Sequence, residues 1–154
     1  MKNKLKWQSI IELNNSVVLP TLNDAWLSGF TQGDGGFNIS ITARENTKLG
    51  YKIRLRYYLD QKVAETERLL TTPLFKSDLI YKSSEEDMFR YTLDSTNKLS
   101  QIKNYFLIYN LIGQKALKFK KWAHVLELLV TKKHLLEEGF NSILKLKEEI
   151  RNLH

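Results

Sequence analysis

The sequence predicts an α+β domain of element order α-β-β-α-β-β-α-α-α, and three observations carry that expectation. Residues 36–44 and 51–60 alternate polar and apolar side chains with period two, as half-buried strands do. The last third of the chain instead spaces its apolar residues at helical intervals, and glycine or polar clusters separate the segments. The 154 residues, 42% of them hydrophobic, suffice for one ordinary core. They read as a lead-in over residues 1–22 followed by a single domain over 23–154. The absence of cysteine excludes disulfides and thiolate metal sites and points to a reducing intracellular compartment. No apolar run reaches membrane-spanning length, and the first ten residues lack the apolar core of a secretion signal, so no membrane partner is expected. Lys and Arg number 24 against 17 Asp and Glu, a net charge of +7 that suits a polyanionic partner.

The lead-in ends at Leu19-Pro20-Thr21. From Asn23 to Gln32 the apolar Ala25, Trp26, Leu27 and Phe30 cluster at helical spacing, with Thr21 or Asn23 as N-cap, and Gly33, Gly35 and Gly36 end the helix. In the first strand Ile39, Ile41 and Ala43 point one way and Asn38, Ser40, Thr42 and Arg44 the other. The polar linker Glu45–Gly50 suits a long hairpin turn. In the second strand Ile53, Leu55, Tyr57 and Leu59 face the core, while Lys52, Arg54, Arg56 and Tyr58 face away. Ala64–Leu70 reads as a short helix stopped before Pro73. Strands around residues 77–83 and 88–94, joined by Ser83–Asp87, add Lys82, Arg90 and Thr92 to the polar face if Phe89, Tyr91 and Leu93 are the buried set. Helices follow at about 97–109, 116–130 and 135–152. Phe119, Trp122 and Trp26 read as core, His124 and His134 as surface or packing residues, and the last helix as a covering helix.

One wet face is ordinary for an antiparallel sheet. The chemistry of this one is not generic, because Arg, Asn, Ser, Thr and Lys are the side chains that hydrogen-bond base edges and phosphates, and acids are nearly absent from it. A two-stranded ribbon is narrow enough for the major groove. The basic run from Lys115 to Lys121, with Lys118 and Lys120 between, could neutralise phosphates.

In WLSGFTQGDGGF, Trp26 to Phe37, Gly29 and Gly33 are four apart and leave a groove on one helix face where another backbone can approach, flanked by Ser28. Asp34 stands at the carboxyl end of that helix, which carries partial negative charge, so an acid there is disfavoured unless something positive compensates. A divalent cation held by the carboxylate and a freed carbonyl such as that of Gly33 would supply hard oxygen ligation. A glycine-rich turn whose aspartate caps a local amide accounts for the same residues, and these residues alone leave both readings open.

The stretch Leu27–Gly35, LSGFTQGDG, resembles the nine-residue signature of the LAGLIDADG homing endonucleases, and the element order resembles that family over roughly residues 22–152. The resemblance implies the LAGLIDADG homing-endonuclease fold with its antiparallel sheet saddle. Because the signature occurs once, it implies a homodimer whose signature helices meet through Leu27, Ser28, Gly29, Gln32 and Gly33. Leu19–Trp26 is similar to the segment that opens the second half of double-motif relatives, which fits a descendant or a piece of such a half. The implied activity is Mg2+-dependent hydrolysis of double-stranded DNA at a long pseudo-palindromic site, leaving staggered ends. On that pattern Asp34 and the Gly33 carbonyl hold the metal, Gln61 organises water near the scissile phosphate, and Lys115 is the active-site lysine. The sixth signature position, commonly acidic, is Gln32 here, which removes a charge near the metal. The DNA contacts fall to Asn38, Ser40, Thr42, Arg44, Lys52, Arg54, Arg56, Tyr58, Lys82, Arg90 and Thr92, with Lys118, Lys120 and Lys121 on phosphates. An alternative on the same fold is a maturase that binds intron RNA, with cleavage weak or lost. Lys- and Asn-rich wording is compatible with an organellar intron product, mitochondrial or chloroplast.

Overall fold

Alternation decides which side of the sheet is covered. The computed structural model describes residues 21–62, 79–82 and 88–153; the expected lead-in up to Pro20, the short helix at Ala64–Leu70 and the connection Ser83–Asp87 lie outside them. The elements are α1 (Trp26–Asp34), β1 (Gly35–Ala43), β2 (Tyr51–Lys62), β3 (Leu79–Lys82), β4 (Met88–Leu93), α2 (Thr96–Ile108), α3 (Gly113–Val130), a 3-10 turn (Lys133–Leu135) and α4 (Glu137–Arg151). The strands form one antiparallel sheet in the order β1-β2-β4-β3. Among the described residues no helix is long and apolar enough to cross a membrane.

The core lies between the helices and the odd-numbered face of β1, β2 and β4. Phe37, Ile39, Leu55, Tyr57, Leu59, Tyr91 and Leu93 are all buried there. They meet Leu99, Ile102 and Phe106 of α2 and Phe119, Trp122, Val125 and Leu126 of α3 in one cluster. Phe37 is its hub, with ring centroids at 5.1 Å from Trp122, 5.5 Å from Phe119 and 5.7 Å from Tyr57. Each such aromatic contributes about 1.5–3 kcal/mol by leaving water, so the sheet has one fixed inner side. Ile143 brings α4 onto this layer at zero exposure, and Lys121 of α3 pairs with Glu149 of α4 at 2.5 Å.

The helix starts and ends are set by local chemistry. At α1 the expected cap is corrected: neither Thr21 nor Asn23 caps it, because Asp24 Oδ1 accepts from the Trp26 amide at 3.0 Å while Thr21 Oγ1 is tied to Asp24. Gly33 does not end the helix either, which runs through Asp34 and passes straight into β1. Gly35 and Gly36 are required by space rather than by a left-handed backbone. A Cβ on Gly35 would lie 2.7 Å from Thr31 Cγ2 and 2.9 Å from Leu59 Cδ2, and one on Gly36 would overlap the Tyr58 ring. The hairpin turn does need a left-handed residue, supplied by Gly50 at φ 74°, whose carbonyl accepts from the Arg44 amide. Ser95 caps α2 by accepting from the Lys98 amide.

Candidate nucleic-acid interface and metal site

Register puts the polar side chains of the hairpin opposite one another. Asn38 faces Arg56, Ser40 faces Arg54, and Thr42 faces Lys52 across β1 and β2; Tyr58 faces Thr92, and Asp60 faces Arg90, across β2 and β4. Arg44 follows directly at the end of β1 and is exposed. Ten of the expected contact residues therefore share the uncovered face. Lys82 is set apart by register: its backbone pairs with Phe89, while Tyr81 stands opposite Arg90, one residue off the expected pairing.

Asp60 was absent from the sequence-derived contact set, although its even position in β2 puts it on the same face. Both its carboxylate oxygens accept from Arg90, at 2.6 and 2.7 Å, and the Arg90 guanidinium lies 4.5 Å from the Tyr58 ring centroid. Among the described residues Arg44, Arg54 and Arg56 make no ion pair.

Below the end of this face, where α1 becomes β1, sits the carboxylate that the glycines frame. Asp34 is exposed, and no basic residue occupies the last turn of α1. Lys115, in the first turn of α3, donates from Nζ to the Gly35 carbonyl at 2.5 Å. Burial holds the Lys115 ammonium below the ordinary lysine range, the like charge of Lys118 lowers it further, and Asp34 opposes both. Asp34 and Lys115, 81 positions apart, are thus electrostatic neighbours. Gln61 is buried on the covered side of β2, one pleat beyond the Gly35↔Leu59 pair, where β2 runs alongside the carboxyl end of α1. Lys118 and Lys120 lie near that end of α3, half-buried and exposed respectively. Lys121, also expected on phosphates, pairs with Glu149 of α4 at the surface, so its charge is partly met within the chain.

The donors at the α1 end suit a hard divalent cation: an exposed carboxylate on a helix carboxyl terminus, beside a glycine carbonyl. Among the described residues no three His, Cys, Asp or Glu side chains gather anywhere.

The faces of α1 divide sharply. Leu27 has no exposure and Ser28 8%; Ser28 Oγ donates to the Tyr109 carbonyl and its amide donates to Tyr105 Oη. Thr31 is buried against the Tyr57 hydroxyl at 2.6 Å. Leu27 and Ser28 thus serve this chain's own interior, a correction to their expected place on a contact face. Their helical angle turns them toward the sheet and α2. Gly29 and Gly33 point outward with nothing within 4 Å of where a Cβ would stand, so among the described residues no contact calls for glycine at either position. Ile108 and Ile112 are 71% and 70% exposed.

Gln32 has a local use. Its amide nitrogen donates to the Ile112 carbonyl at 3.2 Å, and its oxygen accepts from the Ile112 amide at 3.4 Å. The residue that precedes α3, and hence the approach of Lys115, is clamped to α1. A carboxylate could only accept. Gln32→Glu is therefore expected to lose about 0.5–1.5 kcal/mol of stability at neutral pH. The introduced carboxyl should be raised in pKa against the Ile112 carbonyl, so the loss should shrink as pH falls and the protonated form donates again. Urea midpoints at pH 7 and pH 4, taken relative to wild type, measure it; an equal deficit at both would remove the clamp.

Comparisons with known proteins agree with the fold. A family model described as LAGLIDADG endonuclease matches residues 27–126. A protein of cox1 intron 2 from Schizosaccharomyces pombe is 32% identical over 124 residues, covering 80% of this chain and 37% of its own length. A Neurospora crassa protein named "Probable intron-encoded endonuclease 4" is 33% identical over 147 residues, 95% of this chain and 26% of the relative. The chain thus spans well under half the length of these relatives. Among solved structures, I-SmaMI bound to uncleaved DNA target in the presence of calcium ions superposes with a TM-score of 0.76 at 28% identity, over 92% of this chain and 48% of that one. The same protein is also solved bound to cleaved DNA, at 28% identity and a TM-score of 0.74, over 89% of this chain and 45% of that one.

Proposed function

The chain belongs to the LAGLIDADG endonuclease family, and from that premise we propose that it is a site-specific homing endonuclease, hydrolysing double-stranded DNA at a long pseudo-palindromic target and leaving staggered ends. The observation that carries the proposal is the junction of α1 and β1. There the Lys115 ammonium donates to the Gly35 carbonyl, one residue after the exposed Asp34, directly where a polar, basic sheet face begins. DNA in the solved structures of I-SmaMI supports the reading of that face.

In this mechanism Asn38, Ser40, Thr42, Arg44, Lys52, Arg54, Arg56, Tyr58, Arg90 and Thr92 meet the major groove. Lys118 and Lys120 neutralise phosphates outside it. Asp34 and the Gly33 carbonyl would hold magnesium, which when bound supplies charge neutralisation at the phosphate and activation of the attacking water. Lys115, steered by the Gly35 carbonyl, faces the charge that develops on the phosphate and stabilises it without reorganising. Gln61 orients the water from the end of β2.

The outward glycines of α1 support close helix pairing with a second domain of the same kind, which brings a second Asp34-type acid to the centre. We take that domain to be a second copy of this chain. The greater length of the relatives favours a second reading, in which it is a further domain of one polypeptide. The mass of the DNA-bound species separates the two. The intron-encoded relatives support a mitochondrial gene.

The direct test uses the DNA flanking the gene, joined as the uninterrupted locus. With magnesium the protein is expected to cut both strands there, and with calcium to bind without rapid cutting. Tight binding of intron RNA with no nick in that duplex would overturn the proposal in favour of a maturase.

A further inference from the structure

The acid on the polar face changes what Arg90 can do, provided that face binds duplex DNA as proposed above. Arg90 is fixed on two sides. Asp60 takes its Nε and Nη2 through both carboxylate oxygens, and the Tyr58 ring lies against the guanidinium at 4.5 Å. That ring lies in turn over Gly36, where an added Cβ would meet its Cζ and Oη. The Arg90 side chain still keeps 53% of its surface open.

We propose that Arg90 reads a base rather than a phosphate, and that Asp60 and Tyr58 are positioning residues presenting its free edge to O6 and N7 of a guanine.

Donor geometry supports this assignment. A guanidinium has five N–H groups. Asp60 occupies one on Nε and one on Nη2, which leaves a parallel pair, one from each Nη, at the far end. That fork matches the two adjacent acceptors that guanine alone shows in the major groove. Charge points the same way. Arg90 and Asp60 together are neutral, so the pair adds little to attraction for the phosphate backbone, whereas Arg54 and Arg56 keep their full charge. Order matters as well, because an arginine already held loses less freedom on meeting its base.

The test is selection of bound sites from a randomised duplex library at fixed salt, using wild type, Asp60→Asn, Arg90→Lys and Arg90→Ala. Wild type is expected to recover one guanine in each half-site with a preference of ~10-fold or more. Asp60→Asn and both Arg90 variants should flatten that position and leave the others intact. Asp60→Asn should also steepen the salt dependence of non-specific binding, by roughly one phosphate contact, through the released arginine charge. Arg90→Lys keeps the charge but loses the fork, so its lost preference with retained non-specific affinity cannot come from misfolding. Full guanine preference in Asp60→Asn, or uniform weakening across all sequences in Arg90→Ala, would overturn the assignment. If wild type enriches no sequence, the DNA-reading face itself fails and Arg90 falls with it.

Discussion

Asp34→Asn is expected to reduce strand cutting by at least about 100- to 1,000-fold, the scale of removing one preorganised charged group from a phosphoryl or acyl centre, while duplex affinity stays close to wild type. The asymmetry follows from position. Asp34 sits on the carboxyl end of α1 and has no donor to offer DNA; the cations proposed to hold the duplex stand elsewhere. The substitution keeps size and hydrogen bonding but cannot bring anionic charge to a cation. It also has a readout independent of cutting. Asp34 is the one contribution that raises the Lys115 pKa against burial and Lys118, so in the variant Lys115 should titrate still lower, which amine-reactive labelling across pH 8–10 measures. Unchanged turnover would remove Asp34 from the chemistry, and an unchanged Lys115 titration would show that the two groups do not sense each other.

Much of this arrangement is legible in the chain because β1, β2 and β4 each bury one face only. Period two therefore survives in the sequence, and it assigns Asn38 through Tyr58 correctly to the wet side. The same rule, carried one pleat further, would have found Asp60. It fails at β3, where Leu79-Ile80-Tyr81-Lys82 contains no alternation, so nothing local says that Lys82 takes the parity of Phe89. The start of α3 is hidden for another reason. Gly113 at φ 56° and an uncapped Ile112 open it, and neither is a helix-start signal; the expected start at residue 116 came three residues late. The α1 signature announced an acid and two outward glycines. It could not announce that Gln32 grips Ile112, nor that Lys115 reaches the carbonyl after Asp34, because both are contacts about 80 positions apart that exist only once α2 and α3 have packed. Lys121 misled for the opposite reason: a basic run looks solvated until α4 brings Glu149 to it.

Trp122→Ala is expected to cost about 3–5 kcal/mol, the largest loss of stability in the molecule from one substitution. The indole has no exposure, lies tilted against the Phe37 hub with ring centroids 5.1 Å apart, and donates from Nε1 to the Arg56 carbonyl at 3.0 Å. It therefore joins the helical layer to the strand whose other side carries Arg56. Its removal leaves a cavity at the meeting of β1, β2 and α3. Against a total stability of roughly 5–15 kcal/mol, most of the margin would go, and the thermal midpoint should fall by roughly 6–20 °C for a domain of this size. Trp122→Phe separates packing from hydrogen bonding: it keeps most of the ring contacts and strands only the Arg56 carbonyl, at about 1–3 kcal/mol. Urea unfolding of both variants gives the comparison. Equal losses in the two would mean that the indole N–H, rather than the volume beneath the sheet, sets the position of the strand that carries Arg56.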